Sequence, residues 1–223
     1  MQYQSSEFEK LLTIATEHAE SYVHYSESQV EKGEHLLNNP KIGERAWSIP
    51  QTTGEFLYKL ITQNGLQNGL ELGTSIGYST LWVISALTEN NPDAKLVTIE
   101  KNETKSQIAQ SYLFPTFIQN ITFHTGRILD FLPNIHNSFD FVFMDADRGN
   151  YQEYWKYIFP LLNKKSIVII DNASRVQKSV QEFQETLTND PRIKTHLHGL
   201  DNGLLIITLA GSGYTDIQNL VNN

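Results

Sequence analysis

The chain of 223 residues contains no cysteine. It therefore has no disulfide framework, no thiolate metal site and no thiol nucleophile. It also lacks an unbroken apolar run of about 18 residues, the length that a membrane-spanning helix needs. The first residues, MQYQSSEFEKLL, do not show the basic-then-apolar order of a secretory signal. We therefore expect a soluble, cytoplasmic protein without a membrane partner.

Positive charge is also scarce, because 17 Lys and Arg residues stand against 25 Asp and Glu residues, a formal net charge of −8. Such a balance argues against broad binding of a phosphate backbone, so nucleic acid is an unexpected partner. Charged residues make up only 19% of the chain, too few for a disordered protein. The length is within the range of one α/β domain.

Short β-rich apolar runs alternate with helical stretches between residues 69 and 170. This alternation predicts a parallel sheet covered by helices on both faces, a Rossmann-like, doubly wound α/β fold. The predicted strands are Gly69–Leu72, Lys95–Ile99, Ile121–His124, Phe139–Phe143 and Ser166–Ile170. The predicted helices between them are Tyr78–Leu87, Glu103–Leu113 and Tyr151–Leu161, with a short turn near Leu129.

The two ends of the chain differ from this central pattern. Residues 1–45 are polar with apolar positions at helical spacing from Phe8 onward and a second helical piece at Ser26–Leu37, which predicts an N-terminal helical cap. We assign residues 46–223 to one domain. Its first helix is expected to be capped by Thr52 or Thr53.

The C-terminal part begins with a predicted helix, Val176–Leu187. The runs Arg192–Leu197 and Leu204–Leu209 then follow each other with only a short loop between them. No helix fits into that loop, so these last strands are expected to pair as an antiparallel hairpin at the end of the sheet.

Acidic residues stand at four of the five parallel strand ends, where open α/β sheets bind their ligands. A buried acid is costly unless it pairs with a ligand or another residue. We therefore interpret this set as a functional site. Its members are Glu71, Glu100, Asp145 and Asp171, the last followed by Asn172.

The loop after the first strand, Gly73-Thr-Ser75-Ile-Gly77, is a tight strand-to-helix turn. It matches neither the dinucleotide fingerprint nor a P-loop. It is a literal G-x-S-x-G, which leaves a serine hydrolase with Ser75 as nucleophile as an alternative. That alternative is weaker because no earlier strand supplies an oxyanion-hole loop. Its partners would be an acid, Asp145 or Asp171, and a histidine, His196 or His198.

A cofactor explains the acids better. Glu71 stands where an ammonium group can be held, and Glu100 is placed to accept both hydroxyls of a ribose. Ser79, near a helix N-terminus, can bind a carboxylate. An ammonium, a carboxylate and a ribose on one ligand describe S-adenosylmethionine.

These residues lie in segments that resemble the cation-dependent class I O-methyltransferases, the catechol and caffeoyl-CoA type enzymes and their small bacterial relatives. The likeness covers roughly residues 45–210 and includes a family-like segment at Ser48–Leu57. The segments that carry it are ELGTSIGYST, VTIEKN, FDFVFMDADRGNY and IVIIDNAS.

The resemblance implies a site for Mg²⁺ or another divalent cation at Asp145, Asp171 and Asn172, and three oxygen ligands suit such an ion. It also implies an acceptor with neighbouring hydroxyls, such as a catechol, and a homodimer. The cofactor contacts that it implies are Glu71, Gly73, Ser79, Glu100, Asp145 and the backbone of Ile128 at the adenine. The chain departs from the family's Gly-Asp-Ala at Gly126-Arg127-Ile128.

A second departure is Arg148, where the family usually has a lysine that is taken as the catalytic base. An arginine keeps its proton, so we expect Arg148 to act as a fixed positive charge on the acceptor oxyanion. The alternative is an ion pair of Arg148 with Asp147 or another nearby acid.

Three further interpretations stay open from the sequence. The acceptor is a small hydroxylated molecule or, alternatively, a hydroxylated tRNA base, and a protein that binds S-adenosylmethionine without catalysis is a third possibility. Tyr151, Tyr154 and Trp155 are expected to form a packed helix face, with a wall of the substrate pocket as the alternative. Residues just before Pro50, namely Arg45, Trp47 and Ser48, are candidates to close over a substrate.

Overall fold

The structure is a computed structural model and describes residues 5–31, 48–174 and 178–214. Within these ranges seven strands form one sheet. The strands are β1 (Asn68–Leu72), β2 (Lys95–Glu100), β3 (Ile121–Thr125), β4 (Phe139–Met144), β5 (Leu162–Ile170), β6 (Ile193–His198) and β7 (Leu204–Leu209). The α-helices are α1 (Ser6–Glu31), α2 (Gln51–Gln63), α3 (Tyr78–Asn90), α4 (Glu103–Phe117), α5 (Ile128–Phe131), α6 (Tyr151–Ile158) and α7 (Lys178–Thr188).

The strand order is β3-β2-β1-β4-β5-β7-β6. The first five strands pair in parallel, whereas β7 is antiparallel to both β5 and β6. The predicted Rossmann-like fold with an antiparallel C-terminal strand is therefore confirmed. The predicted strand bounds agree closely except for β5, which begins four residues earlier than its buried apolar part.

The sheet separates two hydrophobic clusters because neighbouring residues on a strand face opposite sides. In β4, Phe141 and Phe143 belong to the cluster under α1–α4, while Val142 and Met144 belong to the cluster under α5–α7. All six residues of β4 are buried. This two-sided burial explains why the central strands read as continuous apolar runs.

Helix α1 packs into the first of these clusters. Phe8 is fully buried, and its ring lies edge-on to Trp82 at a centroid distance of 4.8 Å. The helix runs without a break to Glu31, so the second helix predicted to begin at Ser26 does not begin there. The rest of that prediction, residues 32–37, lies outside the described residues, as do Arg45, Trp47 and Val176.

The predicted threonine cap of α2 is wrong. The residue before the helix is Pro50, which makes no side-chain capping hydrogen bond. Thr52 and Thr53 lie in the first turn, where both hydroxyls donate to the carboxylate of Asp201 in the β6–β7 loop. The two threonines therefore tie α2 to the end of the sheet instead of closing the helix.

Candidate functional site

A cavity of about 900 Å³ opens at the carboxyl ends of the parallel strands. Its walls come from the strand-end loops, from residues 48–50 ahead of α2 and from the β6–β7 loop. Of the nine residues predicted from the sequence to form the site, eight line it and only Glu71 does not. The eight are Gly73, Ser79, Glu100, Ile128, Asp145, Arg148, Asp171 and Asn172.

The loop between β1 and α3 has positive φ angles, which favour glycine. Gly73 and Gly77 have φ angles of 101° and 88°, and Ser75 lies between them at 48°. A Cβ on Gly73 would stand 2.9 Å from the carbonyl carbon of Asp145 and closer still to its oxygen. A side chain at residue 73 would therefore displace the end of β4, where Asp145 begins the next loop.

Glu71 lies beneath the cavity and is fully buried. Its two oxygens accept hydrogen bonds from the hydroxyls of Ser79, Thr80 and Thr98 at 2.6–2.7 Å. Burial raises the pKa of Glu71, and these hydrogen bonds offset part of that rise. The carboxylate thus supports the floor of the cavity from below.

Ser79 connects this buried carboxylate to the cavity. Its Oγ donates to Glu71 at 2.7 Å, and the residue lines the cavity on its other side. A serine hydroxyl has one proton and two lone pairs. Because the proton is directed at Glu71, Ser79 presents lone pairs to a ligand, which suits an ammonium donor better than the carboxylate assigned to it from the sequence.

Glu100 is held in place at the end of β2. One carboxylate oxygen accepts from the backbone N–H of Ser75 at 2.7 Å, and the other accepts from the N–H of Asn102 at 2.8 Å. Each carboxylate oxygen has a further lone pair available. The side chain lines the cavity and presents an ordered pair of acceptors to it.

Asp145, Asp171 and Asn172 meet at the ends of β4 and β5. Asp171 and Asn172 are buried, and the Asn172 amide nitrogen donates to Asp171. Burial raises the pKa of Asp171, and the nearby carboxylate of Asp145 raises it further. Two such carboxylates repel each other unless a cation lies between them.

This set fits a divalent cation by its donor chemistry. Two carboxylates and one amide oxygen are the hard oxygen ligands that Mg²⁺ takes, with water or substrate completing the coordination. Within the described ranges no group of three His, Cys, Asp or Glu side chains is arranged to hold a metal. The set at the ends of β4 and β5 has two acids and an amide instead.

Arg148 begins a single 3-10 turn, Arg148–Asn150, three residues after Asp145. Its Nη2 lies 3.9 Å from Oδ1 of Asp145. Its Nε is buried and has no hydrogen-bond partner among the residues that the structure describes. Asp147 instead accepts from the N–H of Gly149 and the amide of Asn150, so the pairing of Arg148 is with Asp145 rather than Asp147.

The serine hydrolase alternative finds no support in this geometry. A nucleophilic serine needs a base within hydrogen-bond reach. The Oγ of Ser75 is buried without a partner among the described residues. His196 and His198 lie on β6 and do not line the cavity; His198 stacks on Phe56.

Similarity to known proteins identifies the chemistry that the family carries out. A family model described as O-methyltransferase matches residues 29–210. The chain belongs to the O-methyltransferase family. It is therefore an enzyme of the methyltransferase class, as the resemblance of its strand-end segments implied.

Individual relatives of this O-methyltransferase agree with that assignment. The catechol O-methyltransferase of Niastella koreensis is 32% identical over 145 residues, 63% of this chain and 64% of that relative, so the match spans just under two thirds of the relative's length. Caffeoyl-CoA O-methyltransferase 1 of Arabidopsis thaliana is 27% identical over 188 residues, 72% of this chain and 71% of that protein. The structure of the Bacillus cereus O-methyltransferase in complex with SAH superposes with a TM-score of 0.70 at 23% identity, covering 94% of this chain and 93% of the other.

Lys105 and Asn202 are two residues that line the O-methyltransferase cavity and were not predicted from the sequence. Lys105 is buried and lines the cavity from the first turn of α4. The usable signal in the sequence was that this helix begins just after the strand end at Glu100. Asn202 lines the cavity from the β6–β7 loop, for which no local pattern exists. The predicted packed face of α6 is correct, because Tyr151, Tyr154 and Trp155 are all buried, and Tyr154 also lines the cavity.

No helix among the described residues combines the length and apolar character needed to cross a membrane.

Proposed function

We propose that this enzyme transfers the methyl group of S-adenosylmethionine to a hydroxyl of a small, catechol-like acceptor with the help of a divalent cation. The observation that carries the proposal is one cavity in which a fixed carboxylate, Glu100, and an oxygen-rich ligand set, Asp145, Asp171 and Asn172, lie at neighbouring strand ends. The catechol and caffeoyl-CoA relatives support the choice of acceptor class.

The cofactor would lie along the strand ends. Glu100 would accept hydrogen bonds from the two ribose hydroxyls. Because Gly73 has no side chain, the ligand could lie close to the backbone of the β1–α3 loop. Ser79 would accept from the ammonium group, with Glu71 polarising Ser79 from below. The backbone at Ile128 would border the adenine, and Asp145 would stand between the cofactor and the acceptor end.

The acceptor end would use Asp145, Asp171 and Asn172 to hold the cation. When bound there, a divalent cation lowers the pKa of a neighbouring hydroxyl and orients it. Arg148 lies beside Asp145 with an unused Nε donor, which supports its role as a fixed positive charge on the developing oxyanion. Methyl transfer would form the oxygen–carbon bond as the carbon–sulfur bond of S-adenosylmethionine breaks, giving S-adenosylhomocysteine, and the hydroxyl proton would pass to water.

The direct test incubates the full chain with S-adenosylmethionine, Mg²⁺ and a panel of catechols, with mass spectrometry of the products. We expect a mono-methylated catechol, loss of turnover in EDTA and recovery with Mg²⁺ or Mn²⁺. Full turnover in chelator, or in Asp171→Ala, would contradict the role of the cation. Cofactor binding without methylation of any catechol would favour a different acceptor or a protein without catalysis.

In the same assay Arg148→Ala is expected to lower kcat by about 100-fold or more, the scale of losing one oxyanion donor. Arg148→Lys should retain much of the rate because the positive charge remains. An Arg148→Ala variant with normal kcat would assign the residue a structural role.

We further propose a homodimer that works in the cytoplasm, on the family resemblance alone. Light scattering of the purified chain should give twice the mass of one copy.

A further inference from the structure

The acid pair at the ends of β4 and β5 already faces a positive charge from the protein. The guanidinium of Arg148 stands 3.9 Å from the Asp145 carboxylate and also lowers the pKa of Asp171, so its charge acts on both carboxylates. Among the described residues, Asp201 also acts on Asp171, and its carboxylate accepts hydrogen bonds from Thr52 and Thr53. Within the described ranges, Arg148 therefore supplies positive charge that offsets this acid pair.

We propose that Arg148 competes with the divalent cation for this acid pair and so weakens the affinity of the site for the cation. The inference rests on the proposed function, because it concerns the same ligand set. It assigns to Arg148 an effect on cation binding that is separate from its proposed action on the acceptor.

The physical reason is that an arginine cannot give up its charge. A lysine at this position can lose its proton next to a divalent cation, whereas a guanidinium stays protonated in proteins. A second positive charge that arrives at Asp145 and Asp171 is therefore repelled by Arg148 over a few ångströms in a partly buried site, where screening by solvent is weak. Cation binding therefore requires either that Arg148 turns away from Asp145 or that the two positive charges stay close and repel each other. Both weaken the affinity for the cation.

Arg148 is able to turn away because its contacts are few. Its distance to Asp145 is that of a loose ion pair, and its side chain is 23% exposed. Its Nε has no hydrogen-bond partner among the described residues, so no hydrogen bond of that atom is lost when the side chain moves. The competition is therefore a matter of charge and not of a rigid obstruction.

The cavity offers a matched control. Arg127 lines the same cavity and its charge acts on Tyr154 of α6, whereas the positive charge that acts on Asp171 is that of Arg148. Arg127→Gln therefore removes the same charge from the same cavity at a different place. It separates an effect on the acid pair from a general change in the potential of the cavity.

The experiment measures Mn²⁺ binding by the electron paramagnetic resonance signal of the free ion. It uses the full chain without cofactor or acceptor, at pH 8.5 under nitrogen. We expect Arg148→Gln to bind Mn²⁺ at least about tenfold more tightly than the parent, the scale of removing one nearby charge. Arg127→Gln should stay within about twofold of the parent, and the double variant Arg148→Gln/Asp171→Ala should lose the gain.

The outcomes separate the two proposals. Equal Mn²⁺ affinity in the parent and in Arg148→Gln overturns the competition and leaves the cation site in place. Equal tightening in Arg148→Gln and Arg127→Gln also overturns it, because the effect would then belong to the whole cavity. If neither the parent nor folded Arg148→Gln, checked by circular dichroism, binds Mn²⁺, the cation site itself is wrong.

Discussion

At the scale of single residues, the structure shows that Glu71 and Glu100 differ in a way their sequence positions do not reveal. Both acids belong to the end of a parallel strand. Glu71 has its oxygens taken up by three hydroxyls beneath the cavity, whereas Glu100 is held by two backbone N–H groups and lines the cavity. Of these two acids only Glu100 lines the cavity, and we therefore propose that Glu100 is the one that contacts the ligand.

Glu100→Ala should weaken binding of S-adenosylmethionine at least tenfold. Two ribose hydroxyls would lose a charged acceptor, and hydrogen bonds to charged groups contribute about 1.5–3 kcal/mol. Isothermal titration calorimetry measures the Kd. Glu103→Ala is the matched control, because Glu103 is an exposed acid in the first turn of α4. An unchanged Kd in Glu100→Ala would remove the ribose assignment.

At the scale of elements, the approach of the β1–α3 loop to the end of β4 decides the shape of the cavity. The N–H of Asp145 donates to the carbonyl of Leu72 at 3.0 Å, so β1 and β4 stay paired up to the loop itself. Gly73 follows at once with a left-handed backbone. The close contact of these two loops brings Asp145 next to the β1–α3 loop.

Gly73→Ala should therefore destabilise the protein by more than about 1–3 kcal/mol, the cost of one strained residue, because a steric clash with Asp145 adds to the unfavourable φ. Urea unfolding measures the loss. Gly149→Ala is the control, since its nearest contact would be an ordinary 3.4 Å to Asp147 and its φ is not positive. Similar stability of the two variants would show that the β1–α3 loop shifts without cost.

At the scale of the whole molecule, α1 shares the hydrophobic core of the sheet. Phe8, Leu11 and Ala15 are buried in the same cluster as residues of α2, α3 and α4. The division into a cap of residues 1–45 and a domain of residues 46–223 stays a prediction. The packing of Phe8 makes the stability of the domain depend on the helix.

Phe8→Ala should lower the free energy of unfolding by about 3–5 kcal/mol, the usual cost of removing a buried aromatic side chain. Its ring is in edge contact with both Trp82 and Tyr58, so the loss leaves a cavity between α1, α2 and α3. Glu9→Ala, an exposed neighbour on the same helix, is the control in the denaturant titration. A loss below about 1 kcal/mol would mean that residues 46–223 are stable without the cap.

The sequence by itself determined the alternation of strands and helices and the residues at the strand ends. Both follow from local patterns: a strand buried on two faces must be continuously apolar, and the carboxyl ends of parallel strands share one edge of the sheet. For that reason Glu100, Asp145 and Asp171 were predicted to meet, and they do line one cavity.

Only the tertiary structure decided how distant segments complete that cavity. Strand β7 lies between β5 and β6, which brings Asn202 to the cavity and Asp201 to Thr52 and Thr53, about 150 residues away along the chain. Likewise, the hydroxyls around Glu71 come from β2 and α3. A local pattern specifies which face of an element is apolar, but a contact between polar side chains far apart in the chain depends on how the elements pack, and that packing is set by the whole core at once.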